Sequence, residues 1–141
     1  MVNHLFVYGS LMHPNEIESL FGDNISCRKS KLNGYVRDFS KSAHSWGGKE
    51  DVGVLGLIER KDYWCNGLII TGLTDSQMSD YYERETGMKP AEYDEQKSGY
   101  KIVEVSLNKF EYYDDNLAPL NNSVLTALID SRLSKPNTHD E

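Results

Sequence analysis

The chain has 141 residues, 38% hydrophobic and 26% charged, with a formal net charge of −7. That length suits a single domain with one core, and the composition suits a folded rather than a disordered chain. The acid excess repels phosphate backbones and anionic lipid surfaces, arguing against nucleic acid and membrane as partners. Its apolar runs fall far short of the roughly 20 residues of a membrane span.

The start, MVNHLFVYGSLM, lacks the basic region and long apolar stretch of a secretory signal. The two cysteines, Cys27 and Cys65, stand outside any CxxC or Cys/His metal spacing. They read as ordinary buried or half-buried thiols in a reducing, cytoplasmic setting.

Residues 3–8 predict a short strand that ends at Gly9. Pro14 suits the first position of a helix whose positive end Glu16 and Glu18 complement, with Gly22 as its stop. Residues 31–39, 52–58 and 63–71 predict three strands, and the polar, glycine-bearing SAHSWGGKED predicts a loop between the first two. Thr74 and Gln77 form a capping box that opens a second helix, running to about Glu85 and stopping at Gly87. DEQKSG reads as a charged, mobile stretch. YKIVEVSL at 100–107 alternates as a strand should, and KFEYY at 109–113 suggests another. Val124, Leu125, Leu128 and Ile129 share a face in a predicted last helix at 122–133. One α+β domain over 1–134 is expected, followed by a flexible tail at 135–141.

Two segments have the makings of a site. In the helix after Thr74, Met78, Tyr81, Tyr82 and Glu85 recur at i, i+3, i+4 and i+7, so Glu85 lies on the inward stripe while Asp80 and Glu83 point away. A carboxylate among tyrosines loses solvent, and its pKa rises towards that of a useful base. The plainer reading is a solvated helix-end glutamate or one paired with a lysine.

In VYGSLMHP, Gly9 allows close backbone approach to a ligand, and the N–H groups of Tyr8, Gly9, Ser10 and Leu11 could form a nest for a carboxylate or oxyanion. The plainer reading is an ordinary turn. Ser10 lacks the surroundings of a nucleophile, and His4, His13, His44 and His139 lack ligand spacing. Among nine tyrosines, Tyr93 and Tyr100 flank the charged stretch and are candidates to reach a pocket.

Taken together and in order, these segments resemble the gamma-glutamylcyclotransferase-like superfamily. FVYGSLMHP resembles its YGSL signature, with Pro14 leaning towards the glutathione-specific, ChaC-type branch. LNGYVRDF resembles its L-x-G-Y-x-R-x-F strand. LTDSQMSDYYERETG resembles the helix ending in the catalytic glutamate, and YKIVEV resembles a later Y-R-R-V-E-V strand. Counting from Leu73, the family spacing places that glutamate at Glu85, with Arg84 before it. Asp80-x-x-Glu83 satisfies a looser D-x-x-E pattern, so Glu83 stays open. Tyr81-Tyr82 stands where many members have Leu-Asp. The stretch between Glu85 and YKIVEV is long, leaving Tyr93 and Tyr100 in competition for the family tyrosine. The Arg-Gly element of the glutathione-specific branch is absent.

The resemblance implies a mixed β-barrel with flanking helices and a small-molecule gamma-glutamyl substrate. It implies Glu85 as general base, substrate held at Tyr8, Gly9, Ser10 and Leu11, and no metal or organic cofactor. The substrate's α-amine would attack its own γ-carbonyl, releasing 5-oxoproline and an amine. A free Glu85 carboxylate in a pocket would favour this enzyme. One locked in a salt bridge would favour a non-catalytic small-anion binding protein or a protein–protein inhibitor on the same fold.

Overall fold

The computed structural model describes residues 3–42, 53–113 and 126–132. The chain runs from strand β1 (Leu5–Val7) through a 3-10 turn at Ser10–Met12 into helix α1 (Pro14–Phe21). Strands β2 (Ser26–Ser42) and β3 (Gly53–Thr71) follow, then helix α2 (Asp75–Thr86) and the one-turn helix α3 (Glu95–Ser98). Strands β4 (Tyr100–Ser106), β5 (Phe110–Tyr112) and β6 (Thr126–Arg132) complete it. The strands form one mixed six-stranded sheet in the order β4-β6-β1-β3-β2-β5, and with the helices they make an α+β fold.

The helices begin and end where local chemistry dictates. Pro14 opens α1 and Gly22 closes it. Thr74 Oγ1 accepts from Gln77 N at 3.1 Å, and Gln77 Oε1 accepts from Thr74 N at 2.8 Å, the reciprocal box that satisfies two otherwise orphaned donors. Gln77 Nε2 also donates to the Phe21 carbonyl at 2.9 Å, tying the start of α2 to the end of α1.

Both faces of the sheet are covered. On one, Leu5, Val7, Ile70 and Leu128 pack against Ile17 and Phe21 of α1 and Met78 and Tyr81 of α2. On the other, Phe6, Tyr8, Leu32, Ile69 and Ile129 pack with Val105 of β4 and Phe110 of β5. Since β4 and β5 lie at opposite edges yet share one cluster, the sheet curls around it.

Closure goes no further. Among the described residues β4 pairs with β6 and β5 with β2, so the expected barrel is an open, curled sheet. The 3-10 turn Leu107–Lys109 spans the mouth between those edges.

The predicted strands at 52–58 and 63–71 belong to one element, but their boundary is real. Pairing with β2 jumps from Asn33↔Trp64 to Tyr35↔Glu59, and Asp62 takes a left-handed φ of 71°. Opposite the jump, Gly34 sits at φ 86°, which suits a residue without Cβ. This bulge resets the alternation of β2, so that Leu32 and Tyr35 pack against the same cluster.

Two expectations are corrected. Residues 126–132 of the predicted last helix form β6, parallel to β1 and antiparallel to β4. Leu128 and Ile129, neighbours on a helical face, serve opposite faces of a sheet buried on both sides. The predicted mobile DEQKSG contains α3, whose N-cap Asp94 accepts from Lys97 N at 3.0 Å. The predicted loop at 43–51 and the tail at 135–141 lie outside the described residues.

The close approach of β1 to β3 depends on Gly67. A Cβ there would strike the Val7 carbonyl and come within 2.6 Å of the Phe6 ring, nearer than real Cβ atoms come. Gly67→Ala is expected to destabilise the fold by about 1–3 kcal/mol, as overpacking does. A lowered urea midpoint at unchanged m-value checks this; an unchanged midpoint contradicts it.

Candidate functional site

The candidate site is built where β1 ends. Tyr8 follows the strand with its side chain in the inner cluster, its ring 6.4 Å from that of Phe6. Leu11 anchors the turn in the helix-facing core. Between them Gly9 is partly covered and Ser10 exposed. The turn's own hydrogen bonds use downstream amides: Met12 N donates to Gly9 O at 2.9 Å and His13 N to Ser10 O at 3.1 Å.

Glu85 comes from the last turn of α2, on the stripe whose Met78 and Tyr81 are buried. Its side chain is 15% exposed, whereas Glu83 and Asp80 are on the exposed face. Burial lifts the Glu85 carboxyl above the ordinary value of 4.5, while the adjacent Arg84 guanidinium pulls it down by charge and hydrogen bonding. The burial effect is the larger, and the net direction is upward.

Arg84 joins the two candidate segments. Its Nη1 donates to Glu85 Oε1 at 2.7 Å and its Nη2 to Glu16 Oε1 at 3.0 Å. The same Nη2 lies 3.5 Å from Ser10 Oγ. One guanidinium thus connects the glycine turn, the first turn of α1 and the end of α2. Its direct contact with the turn is through Ser10, and the Glu85 carboxylate is held by an ion pair.

The competing tyrosines have separate duties. The Tyr93 hydroxyl donates to the Tyr100 carbonyl at 2.7 Å and accepts from Ile102 N at 3.1 Å, pinning its segment to the start of β4. Tyr93 also meets Tyr82 edge-on at 5.7 Å, and Tyr82 meets Tyr81 at 5.9 Å, giving an aromatic row that leads from α2 to the segment before α3. Burial raises the phenols of both Tyr82 and Tyr93. Tyr100 is buried at 8% exposure.

Arg37 was not among the candidate site residues. Its Nε and Nη2 donate to the Tyr8 carbonyl at 3.2 and 3.0 Å, and Nη2 also donates to the Asn66 carbonyl at 2.6 Å. The available signal was its place as the arginine of LNGYVRDF, the segment that resembles L-x-G-Y-x-R-x-F, but the reset at Gly34 that turns it towards Tyr8 could not be read from spacing.

A separate cleft of about 270 Å³ is lined by Met12, Ile17, Leu68 and Cys27 among others, and contains neither Glu85 nor Arg84. Cys27 is exposed, unlike the expected buried or half-buried thiol, whereas Cys65 is buried. Among the described residues no group of three or more His, Cys, Asp or Glu is placed to hold a metal ion. Among them no helix is long and apolar enough to cross a membrane.

This curled sheet with two helices against one face has solved counterparts. A gamma-glutamyl cyclotransferase matches over 94% of this chain and 67% of its own, at 15% identity and a TM-score of 0.63. The chain has the gamma-glutamylcyclotransferase-like fold. A yeast gamma-glutamyl cyclotransferase specific to glutathione matches over 100% and 77%, at 14% identity and a TM-score of 0.58. An Arabidopsis thaliana protein solved in solution matches over 97% and 72%, at 16% identity and a TM-score of 0.60. No protein-family model and no curated protein sequence matches the chain. At these identities the likeness is one of fold.

The raised Glu85 carboxyl has a consequence for stability. Its folded pKa exceeds the ordinary 4.5, so the folded state holds the proton more tightly and stability falls as pH rises through that window. Glu85→Gln cannot ionise. Its melting temperature relative to wild type is therefore expected to rise as pH increases from 4.5 towards neutrality. Thermal melts across that range check this, and a relative fall would mean that the Arg84 attraction outweighs burial.

Proposed function

We propose that this protein cleaves a gamma-glutamyl amide or peptide by cyclising the glutamyl group, releasing 5-oxoproline. The observation that carries the reading is Glu85, a carboxylate withdrawn from solvent with a raised pKa, one guanidinium away from the Tyr8–Leu11 turn. The fold, shared with gamma-glutamyl cyclotransferases, makes a substrate of that class the natural one to test.

In this reading the substrate's α-amine attacks its own γ-carbonyl carbon. An amine of this kind has a pKa of about 8 and is mostly protonated near neutrality, so it must give up a proton first. Glu85 accepts it. A C–N bond forms as the ring closes, and the attacking nitrogen gives up its second proton. The bond to the departing nitrogen breaks as Glu85 delivers a proton there, leaving a lactam N–H and a free amine that takes up the remaining proton. The reaction is intramolecular, so holding the substrate folded back on itself contributes up to roughly 7–11 kcal/mol of barrier lowering in well-oriented cases. The amides of Tyr8, Gly9, Ser10 and Leu11 receive the substrate's carboxylate or carbonyl oxygen, and the reaction draws on no cofactor. The setting of the reaction is taken to be the cytoplasm.

The ion pair with Arg84 favours a second reading, in which the same site holds a small anion without turnover. Both readings are separated by assaying wild type, Glu85→Gln and Glu83→Gln for binding and for 5-oxoproline release, using a panel of gamma-glutamyl amines, amino acids and glutathione. The expected outcome is that wild type and Glu83→Gln turn over, while Glu85→Gln binds but is slower by about 100- to 10,000-fold. Equal turnover by wild type and Glu85→Gln would remove Glu85 from the mechanism. Tight binding by wild type without release would establish the second reading.

A further inference from the structure

We propose that Arg37 is a positioning residue that aims the Gly9 amide into the site. This rests on the proposed cyclotransferase reading for its catalytic consequence, and on geometry alone for its structural one. The Tyr8 carbonyl oxygen accepts from both Nε and Nη2 of Arg37, at 3.2 and 3.0 Å. A forked donor on one carbonyl fixes the direction of that C=O, which a single flexible donor would not do.

The peptide plane transmits that direction. No cis bond occurs among the described residues, so the Tyr8 C=O and the Gly9 N–H lie on opposite edges of one rigid unit. With the carbonyl drawn to Arg37, the Gly9 N–H is turned to the side away from it. The guanidinium also polarises the unit, because a cation on the carbonyl strengthens the N–H across the same amide as a donor.

Arg37 is itself held. Its Nη2 donates to the Asn66 carbonyl at 2.6 Å and lies 3.8 Å from Met12 Sδ, so the same group touches β3 and the far end of the 3-10 turn. The bulge at Gly34 orients this part of β2 towards the inner cluster, as the inward packing of Tyr35 indicates. A glycine at position 9 has no side chain to restrain its own peptide, which makes an external clamp on the preceding carbonyl effective.

The test compares wild type with Arg37→Gln and Arg37→Lys. Arg37→Gln removes the cation and the fork, while Arg37→Lys keeps a charge that can reach the carbonyl from one direction. Two readouts are taken on protein shown to be folded by its thermal melt. The first is the ¹H–¹⁵N resonance of Gly9, which needs no activity. The second is kcat and KM for 5-oxoproline release from the best gamma-glutamyl compound.

The expected result is a displaced Gly9 resonance in Arg37→Gln and a smaller displacement in Arg37→Lys. With it, kcat falls by about 100-fold in Arg37→Gln, as a misplaced contact does, and recovers in part in Arg37→Lys. A Gly9 resonance and kcat unchanged in folded Arg37→Gln overturn the proposal, as does a rate loss that leaves the Gly9 resonance in place. If wild type releases no 5-oxoproline, the cyclotransferase reading fails by itself, and the Gly9 resonance alone decides whether Arg37 orients the turn.

Discussion

The structure depends on a three-residue strand buried on both faces. Leu5 and Phe6 are fully buried and Val7 nearly so, and β1 runs between an antiparallel β3 and a parallel β6. Its odd-numbered residues serve the helix-facing core and Phe6 the concave one. At about 25 cal/mol per Å² of apolar surface removed from water, such a segment contributes far more than its length suggests. The turn at Tyr8–Leu11 starts where β1 stops, and so begins from one of the most firmly held points in the molecule. α2 reaches that turn because its own start is tied to the end of α1 by Gln77.

The chemistry at the turn is a contest between two effects on one carboxylate. Removal from solvent disfavours the charged form of Glu85, and the neighbouring arginine favours it. Had Glu85 been exposed, the pair with Arg84 would be one more surface salt bridge of small consequence. Burial makes the contest matter, and the outcome is a carboxyl with a greater tendency to take up a proton than an ordinary glutamate. Arg84 divides its charge between Glu85 and Glu16, which weakens its hold on either.

Much of this was legible in the residues because the signals were local. The Thr74–Gln77 box and the Gly22 and Gly87 stops fixed both main helices, and the spacing of Met78, Tyr81 and Glu85 set the inward stripe. The last strand was illegible for a physical reason. Val124, Leu125, Leu128 and Ile129 fit a helical face as well as a strand buried on both sides, and no turn signal decided between them. Arg37 was in view within LNGYVRDF, but its contacts were not legible, because they depend on a bulge at Gly34 and on carbonyls supplied by two other segments. Arg84 was placed beside Glu85 by sequence, but its reach to Glu16 and Ser10 is a product of helix packing.

The central claim is that the proton leaving the substrate amine goes to Glu85. The most direct measurement follows the Glu85 side-chain carboxyl by ¹³C NMR and, on the same preparation, the acid limb of kcat/KM for 5-oxoproline release. That limb reports the essential base of the free enzyme. The account predicts one shared midpoint, above the ordinary carboxylate value of 4.5. An acid limb that does not follow the Glu85 titration, or a Glu85 midpoint at or below 4.5, would contradict it.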